Sequence, residues 1–554
     1  MLEWEDGDDP LERRASVHLT TPDGSGFSEA IVNLSTEEVE STQPATGQPM
    51  VLFTEFVGAM EAALGHPDMI AALDERGLTP DDVFCLPLTA GNFFTDEYDG
   101  TRLMKVPCYV NPTGSNFYAK PIEGLYAVVD LSTGTALRVI NEGNIAIPED
   151  GWGYTQEEIA ERAPLRPEMN RAILQQEGGP NYTFEDGMLE WDMWRMHLRV
   201  DKRPGPVLSN INVKDGDEWR TLIYQAHLSE VFVPYMDPSE GVYWRTYMDS
   251  GEYGFGLFLS PLVAGVDCPA YATFLPAMIA DDQGNPYEIP DAICIFERDI
   301  GDPAWRHFEI FAQGPDQFTP AEGRPATELV VRSASEVGNY DYLIDYRFMQ
   351  NGQMEIKIGA TGLDFDIDQP TNRFMTMDIV PAEVADDSPR RSLWKVENKM
   401  PASEMEARYK ISASEPRYFM LMNPDGKGSL GHNPGYMIHH GSVAYGPFDF
   451  ENDPPMKRNA YIEYSVWSTV FDAGERYAGG KYAMQSDGSD TLAEWVKEDE
   501  ALQNKDIVTW FTTGFHHIPR IEDWPVMSTE WKTVHIMPHN FFPMNPAMTI
   551  RNLE

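Results

Sequence analysis

Between Tyr340 and Ile358 the chain alternates with period two across a turn. Tyr340, Tyr342, Ile344, Tyr346 and Phe348 share one face, Gln350-Asn351-Gly352 interrupts the run, and Met354, Ile356 and Ile358 resume it. This pattern demands a strand hairpin with one buried face, because on a helix the same apolar side chains would scatter around the axis. From Trp191 onward the runs Leu222 to Val233, Gly254 to Leu262, Glu328 to Arg332 and Tyr461 to Val466 are short, aromatic or β-branched, and bounded by Gly, Pro or Asp. They predict the strands of an antiparallel sandwich. Upstream, residues 53 to 77 carry a helical apolar period, and 116 to 142 read as strands around Gly124 and a turn at Gly134. Further helical signals are short, near 155 to 163 and 490 to 500. The expected fold class is α+β: a small α/β module followed by a large antiparallel β-sandwich.

The 554 residues, 42% hydrophobic and 12% aromatic, suffice for a large core. A formal charge of -48 argues against nucleic acid, whose binders cluster Lys and Arg to displace counterions, and equally against an anionic membrane surface. The acidic residues are dispersed, as on a solvated surface. No uninterrupted apolar window of about eighteen residues predicts a membrane span. Met1-Leu-Glu-Trp-Glu-Asp6 is not a signal peptide, which favours a cytoplasmic location, with a trimmed secreted chain as the alternative. Asn33-Leu-Ser35 and Asn181-Tyr-Thr183 fit the glycosylation pattern, a motif too short to decide the matter. Four cysteines exclude a disulfide scaffold, and no Cys-x-x-Cys suggests zinc.

Asn339-Tyr340-Asp341-Tyr342 resembles the cofactor-forming motif of the copper amine oxidases. In that family the tyrosine at the Tyr340 position is oxidised by bound copper to topaquinone, and copper is held by a His-x-His pair and one late histidine. No two of the twelve histidines here are separated by one residue. Met354 to Gly362 resembles the strand after the cofactor tyrosine, and Leu363 to Asp368 resembles the segment just past the His-x-His pair. The two abut at Gly362/Leu363, so the resemblance implies a deletion of the pair. Gly514 to Met527 resembles the family's late block, with His517 at the third ligand position. One imidazole does not hold copper tightly, and Glu355 and Lys357 do not replace two more. The resemblance thus implies a site without copper or topaquinone.

The resemblance covers nearly the whole chain. Residues 15–153 are similar to the small α/β domain that precedes the catalytic one, 154–178 form a linker, and 179–554 resemble the catalytic β-sandwich. Tyr235 falls where the family has a tyrosine bonded to the quinone, Asp249 at its catalytic base and Tyr247 at the gate of the substrate channel. Glu336 stands where the family pattern has a threonine. Cys268 and Cys294 match a family disulfide, while Cys85 and Cys108 read as buried thiols. Asp364 and Asp366, with Asp506, resemble a peripheral calcium site of hard oxygen ligands. The family also implies a homodimer.

Each residue has a plainer reading. Tyr340 by periodicity is a core tyrosine, and Asp249 in Asp-Ser-Gly is a turn residue. His516 and His517 are hydrogen-bonded structural histidines, with a weak zinc site as the outside case. Asp364, Asp366 and Asp368 line a solvated strand face. The leading expectation is an enzyme that has lost copper and uses Asp249 as base and Tyr340 as phenolic acid, with Asn339, Tyr235 and Tyr247 around them. It would cyclise, isomerise or dehydrate a small biosynthetic molecule. Two alternatives stay open: a primary-amine oxidase whose ligands are recruited elsewhere, such as His516 with His517, and a catalytically silent binding protein.

Overall fold

The computed structural model describes residues 12–551 apart from 22–25, 92–97, 99, 150, 152, 171–173, 236–244, 310–320, 360–362, 368–372, 384–392, 429–430, 442, 518–522 and 524; of 363–367 and 373–374 it describes the backbone alone. The chain divides into two compact units, and the division does not follow a single cut. The first unit comprises Met1–Leu165, Val233–Glu252 and Tyr482–Ser489. The second comprises Arg166–Phe232, Tyr253–Lys481 and Asp490–Glu554.

In the first unit the helical period over 53 to 77 resolves into two helices, Phe53–Leu64 and Pro67–Asp74. They separate at Gly65-His66, where His66 caps the second helix by accepting the Asp68 amide at 3.2 Å and Pro67 occupies its first turn. Ala59, Ala63, Met69 and Leu73 are the buried stripe. The neighbouring sheet runs in the order Val83–Cys85, Leu103–Val110, Pro121–Asp130, Thr135–Asn141. Arg102 locks this unit together. Its guanidinium, buried, forks onto Glu55 at 2.6 and 2.8 Å and donates to the carbonyls of Pro49 and Met50 at 2.9 and 3.1 Å. Cys85 and Cys108, expected as thiols, are instead a disulfide. The register of Val83–Cys85 on Leu103–Val110 sets Cys85 directly opposite Cys108, a pairing that no local pattern encodes.

The second unit is a stack of two antiparallel sheets. One has eight strands in the order Val466–Val470, Ile507–Phe511, Leu363–Ile367, Glu218–His227, Gly205–Asp215, Trp194–Asp201, Met188–Trp191, Thr183–Glu185. The other has ten, in the order Thr273–Ala280, Pro286–His307, Glu322–Val337, Tyr340–Met349, Met354–Ile358, Lys532–His539, Gly435–His440, Arg417–Met422, Arg373–Pro381, Trp394–Lys399. Trp194 joins the layers: its ring lies 5.1 Å from Phe348 and its indole N–H donates to the Met349 carbonyl at 2.9 Å. The hairpin from Tyr340 to Ile358 is present, with Gly352 at φ +80° in the turn and Tyr342, Ile344, Tyr346 and Phe348 buried. Cys268 and Cys294 form the second disulfide.

Two predicted strands are not strands. Gly254 to Leu262 folds as turns in which Phe255 and Leu257 donate to the carbonyls of Arg203 and Lys202. A Cβ on Gly256 would sit 1.9 Å from the Asp201 carbonyl oxygen, so glycine permits this close approach of backbones. Ala460–Glu463 is a 3-10 turn with Tyr461 buried, and the strand begins only at Val466. Short apolar runs look the same whether they bury a strand or a helical turn. Among the described residues no helix is long and apolar enough to cross a membrane.

Candidate functional site

Tyr340 is the first residue of its strand, paired with Val337 across a two-residue turn. Gly338 supplies the positive φ, +64°, that the first position of such a turn requires, and Asn339 is the exposed second turn residue. This places the Tyr340 ring at the strand end, partly covered. Its hydroxyl lies 3.0 Å from His517 Nδ1, with the rings 6.2 Å apart and nearly perpendicular at 87°. His517 Nε2 in turn lies 3.3 Å from an Asp523 carboxylate oxygen. The three side chains form one hydrogen-bonded series. Burial, reinforced by the Asp523 charge, pushes the Tyr340 phenol above its ordinary value, so the neutral O–H form is favoured. The Tyr342 ring, two residues further along the strand, lies 5.2 Å from that of Phe255 at a tilt of 45°, and the Phe255 carbonyl accepts the Ser335 hydroxyl at 2.9 Å. Glu336 faces Asp341 across the strands, and burial raises both carboxyls.

Tyr235, Tyr247 and Asp249 lie in the first unit. Thr246–Met248 is a short strand that runs into a π-helical turn, Asp249–Tyr253. Tyr235 donates its backbone N–H to the Arg245 carbonyl at 3.0 Å, and its ring meets Tyr247 edge-on at 6.1 Å. Asp249 is buried, at 3% exposure. Glu252, which sequence reasoning passed over, is also fully buried; its carboxylate accepts the Thr89 hydroxyl at 2.7 Å and the Met248 amide at 3.2 Å. It holds the turn that presents Asp249. The structure therefore brings Tyr340, His517 and Asp523 together in one unit, and Tyr235, Tyr247 and Asp249 in the other. Asp523 was legible only as part of the late block, six residues past His517.

Among the described residues, the donors that surround Tyr340 do not match a copper centre. One imidazole is at hand, its Nδ1 on the phenol and its Nε2 toward Asp523. His516 is exposed, Glu355 is bonded to His535 at 2.9 Å, and Lys357 lies over the Trp531 ring at 4.1 Å. Among the described residues no group of three or more His, Cys, Asp or Glu is arranged to hold a metal ion. For the calcium expectation the backbone is informative: Leu363–Ile367, which carries Asp364 and Asp366, pairs with Ile507–Phe511, directly after Asp506. One Asp506 oxygen is buried and has no hydrogen-bond partner among the described residues. The side chains of Asp364 and Asp366, and Asp368 altogether, lie outside the described residues.

Comparison with known proteins decides the lineage. The model of the copper amine oxidase enzyme domain matches residues 183–363 and 363–554, and that of the copper amine oxidase N3 domain matches 54–152. The chain belongs to the copper amine oxidase family. It is 33% identical, over 99% of its length and 83% of the relative's, to the copper-containing amine oxidase gamma 1 of Arabidopsis thaliana. A primary amine oxidase of Klebsiella aerogenes is 32% identical over 97% of this chain and 76% of its own. The fold likewise matches the crystal structure of a copper-containing benzylamine oxidase from Hansenula polymorpha, with a TM-score of 0.87, 23% identity, and coverage of 98% of this chain and 90% of that one. The chain is thus an enzyme-family member built on the copper amine oxidase fold.

Proposed function

We propose that this chain is an enzyme that takes a small primary amine at the Tyr340 site. The observation that carries this is the 33% identity over 99% of the chain to a named amine oxidase, with Tyr340 exposed to a histidine partner at the strand end. The names of the relatives support amine oxidation as the reaction. For that chemistry copper and topaquinone are what the family supplies, and here a metal centre would need donors other than a His-x-His pair.

A second reading is proton-transfer catalysis without copper, in which the neutral Tyr340 hydroxyl serves as acid. Isomerisation, dehydration or ring closure need only such an acid and a base held in place. Support comes from the enzyme-domain match, which falls in two segments meeting at residue 363. The alignment to the Arabidopsis relative also spans 597 positions against 554 residues, so at least 43 positions find no residue here. A homodimer and a calcium ion on Asp364, Asp366 and Asp506 belong to the same proposal. The two disulfides support the trimmed secreted alternative over the cytoplasmic expectation, since disulfides persist in oxidising compartments.

One experiment separates the readings. The protein is produced with excess copper and offered a panel of primary amines, and metal content, absorption spectrum, peptide mass at Tyr340, aldehyde and hydrogen peroxide are followed. Aldehyde and peroxide with a modified Tyr340 establish the oxidase. An amine consumed without peroxide, by protein with unmodified Tyr340, establishes the metal-free enzyme. No amine bound or consumed would leave a silent binding protein.

A further inference from the structure

We propose that the outer face of the ten-stranded sheet carries a copper(I) site built from Met437, His439, His535 and Met537. The strands Gly435–His440 and Lys532–His539 are antiparallel neighbours, and their register sets Met437 opposite Met537 and His439 opposite His535. Residues directly opposite have Cβ atoms about 5 Å apart on one face, and alternate residues of a strand share that face, so the four side chains stand as one block. Tyr436, Ile438, Val534 and Ile536, which alternate with them, are buried in the sandwich. The block is therefore on the open side, with His439 exposed and the other three side chains half-covered. The Tyr340 side chain belongs to the opposite face, because His535 pairs with Glu355 and Glu355 with Arg347, a residue out of phase with Tyr340. The His439 and His535 rings lie 6.2 Å apart, centre to centre, at 31°. Two imidazoles that each hold one ion at about 2 Å have ring centres about 5–6 Å apart. Glu355 fixes the His535 ring through Nδ1 at 2.9 Å and leaves Nε2 for the ion. Two imidazoles alone make a poor site; the thioethers complete it. Zinc takes thiolate, imidazole or carboxylate, and calcium takes oxygen, whereas neutral thioethers beside imidazoles favour copper(I). Met420, buried and opposite Met437, extends the thioether row to Met375 and keeps that flank apolar.

The inference does not depend on the reaction at Tyr340. The test is anaerobic titration of the full chain, stripped of metal, with copper(I) against a chromophoric copper(I) chelator, followed by X-ray absorption of the loaded protein. His517→Gln is titrated in parallel, so that copper taken by the late histidine is told apart. In both proteins one equivalent should bind with nitrogen and sulfur in its coordination shell. The double variant Met437→Leu/Met537→Leu conserves volume and should lose the sulfur. Losing a ligand should weaken binding at least as much as losing an outer-sphere partner, by about tenfold or more. His439→Asn changes an exposed side chain, so the fold should stand while binding weakens likewise, and the thermal midpoint certifies both variants. Zinc(II) should not displace the bound copper(I). The proposal is overturned by no copper equivalent in His517→Gln, by a shell without sulfur, by zinc bound in preference, or by unchanged affinity in the folded variants.

Discussion

Glu297 offers a quantitative test of how the second unit holds its entry segment. Its carboxylate is 4% exposed and accepts four hydrogen bonds: from the Gln176 amide at 2.6 Å, the Asn181 backbone N–H at 2.5 Å, the Asn181 side chain at 2.8 Å and the Trp191 indole at 2.9 Å. Each oxygen takes two of them. Glu297→Gln preserves shape but turns one oxygen into an NH2 donor, so whichever way the amide settles, two donors face a donor. An orphaned buried donor costs about 1–3 kcal/mol, less for the exposed Asn181 amide, which can turn to water, so the variant should lose about 2–4 kcal/mol. Urea unfolding of the second unit, followed by tryptophan fluorescence, reads this directly, because Trp191 reports from the site itself. A variant within about 0.5 kcal/mol of wild type would refute the reasoning and mean that water already shares these donors.

Three further outcomes follow from single sites. Glu475 is pushed up to about 7, chiefly by burial and then by Asp472, Glu404, Glu498 and Glu500; the folded state therefore binds a proton that the unfolded state has released, and the contribution of this group to stability declines as pH rises from about 4.5 to 7. Thermal midpoints between pH 5 and 8 should fall more steeply in wild type than in Glu475→Gln, and parallel curves would contradict the assignment. If calcium sits beside Asp506, a chelator should lower the melting temperature of wild type and not of Asp506→Ala, since a ligand bound only to the folded state stabilises it by mass action; equal responses would return Asp506 to a plain buried carboxylate. Neither Asn33 nor Asn181 should carry a glycan, because their side-chain amides donate to Glu40 at 3.0 Å and Glu297 at 2.8 Å; peptide mass spectrometry from a glycosylating host checks this.

Much of this molecule is legible in its residues where the signal is periodic. The Tyr340 to Ile358 hairpin and the helix at 53 to 64 follow from side-chain alternation, and the His66-Pro67 break shows why 53 to 77 is two helices rather than one. What escaped is set by partners far along the chain. Gly254 to Leu262 is apolar enough for a strand, yet the carbonyls of Lys202 and Arg203 take its amides and bend it into turns. Cys85 finds Cys108 only through strand register. In the site, Tyr340 and His517 were legible as chemistry, but Asp523 and Glu252 emerge only once folding sets carboxylates against an imidazole and against Thr89. Resemblance supplied residue roles that periodicity does not carry.

The most direct measurement of the central claim, that Tyr340 is the reactive residue of an amine-binding site, is amine consumption by wild type beside Tyr340→Phe. The substitution removes one hydroxyl and its bond to His517 and leaves the ring in place, so folding should be retained. Whether that oxygen is a quinone precursor or a proton donor, its loss should cut turnover; a positioned acid alone is typically worth ~10²- to 10⁴-fold. The account predicts a fall of at least about 100-fold with amine binding preserved. Turnover by Tyr340→Phe equal to wild type would contradict it and move the chemistry elsewhere in the chain.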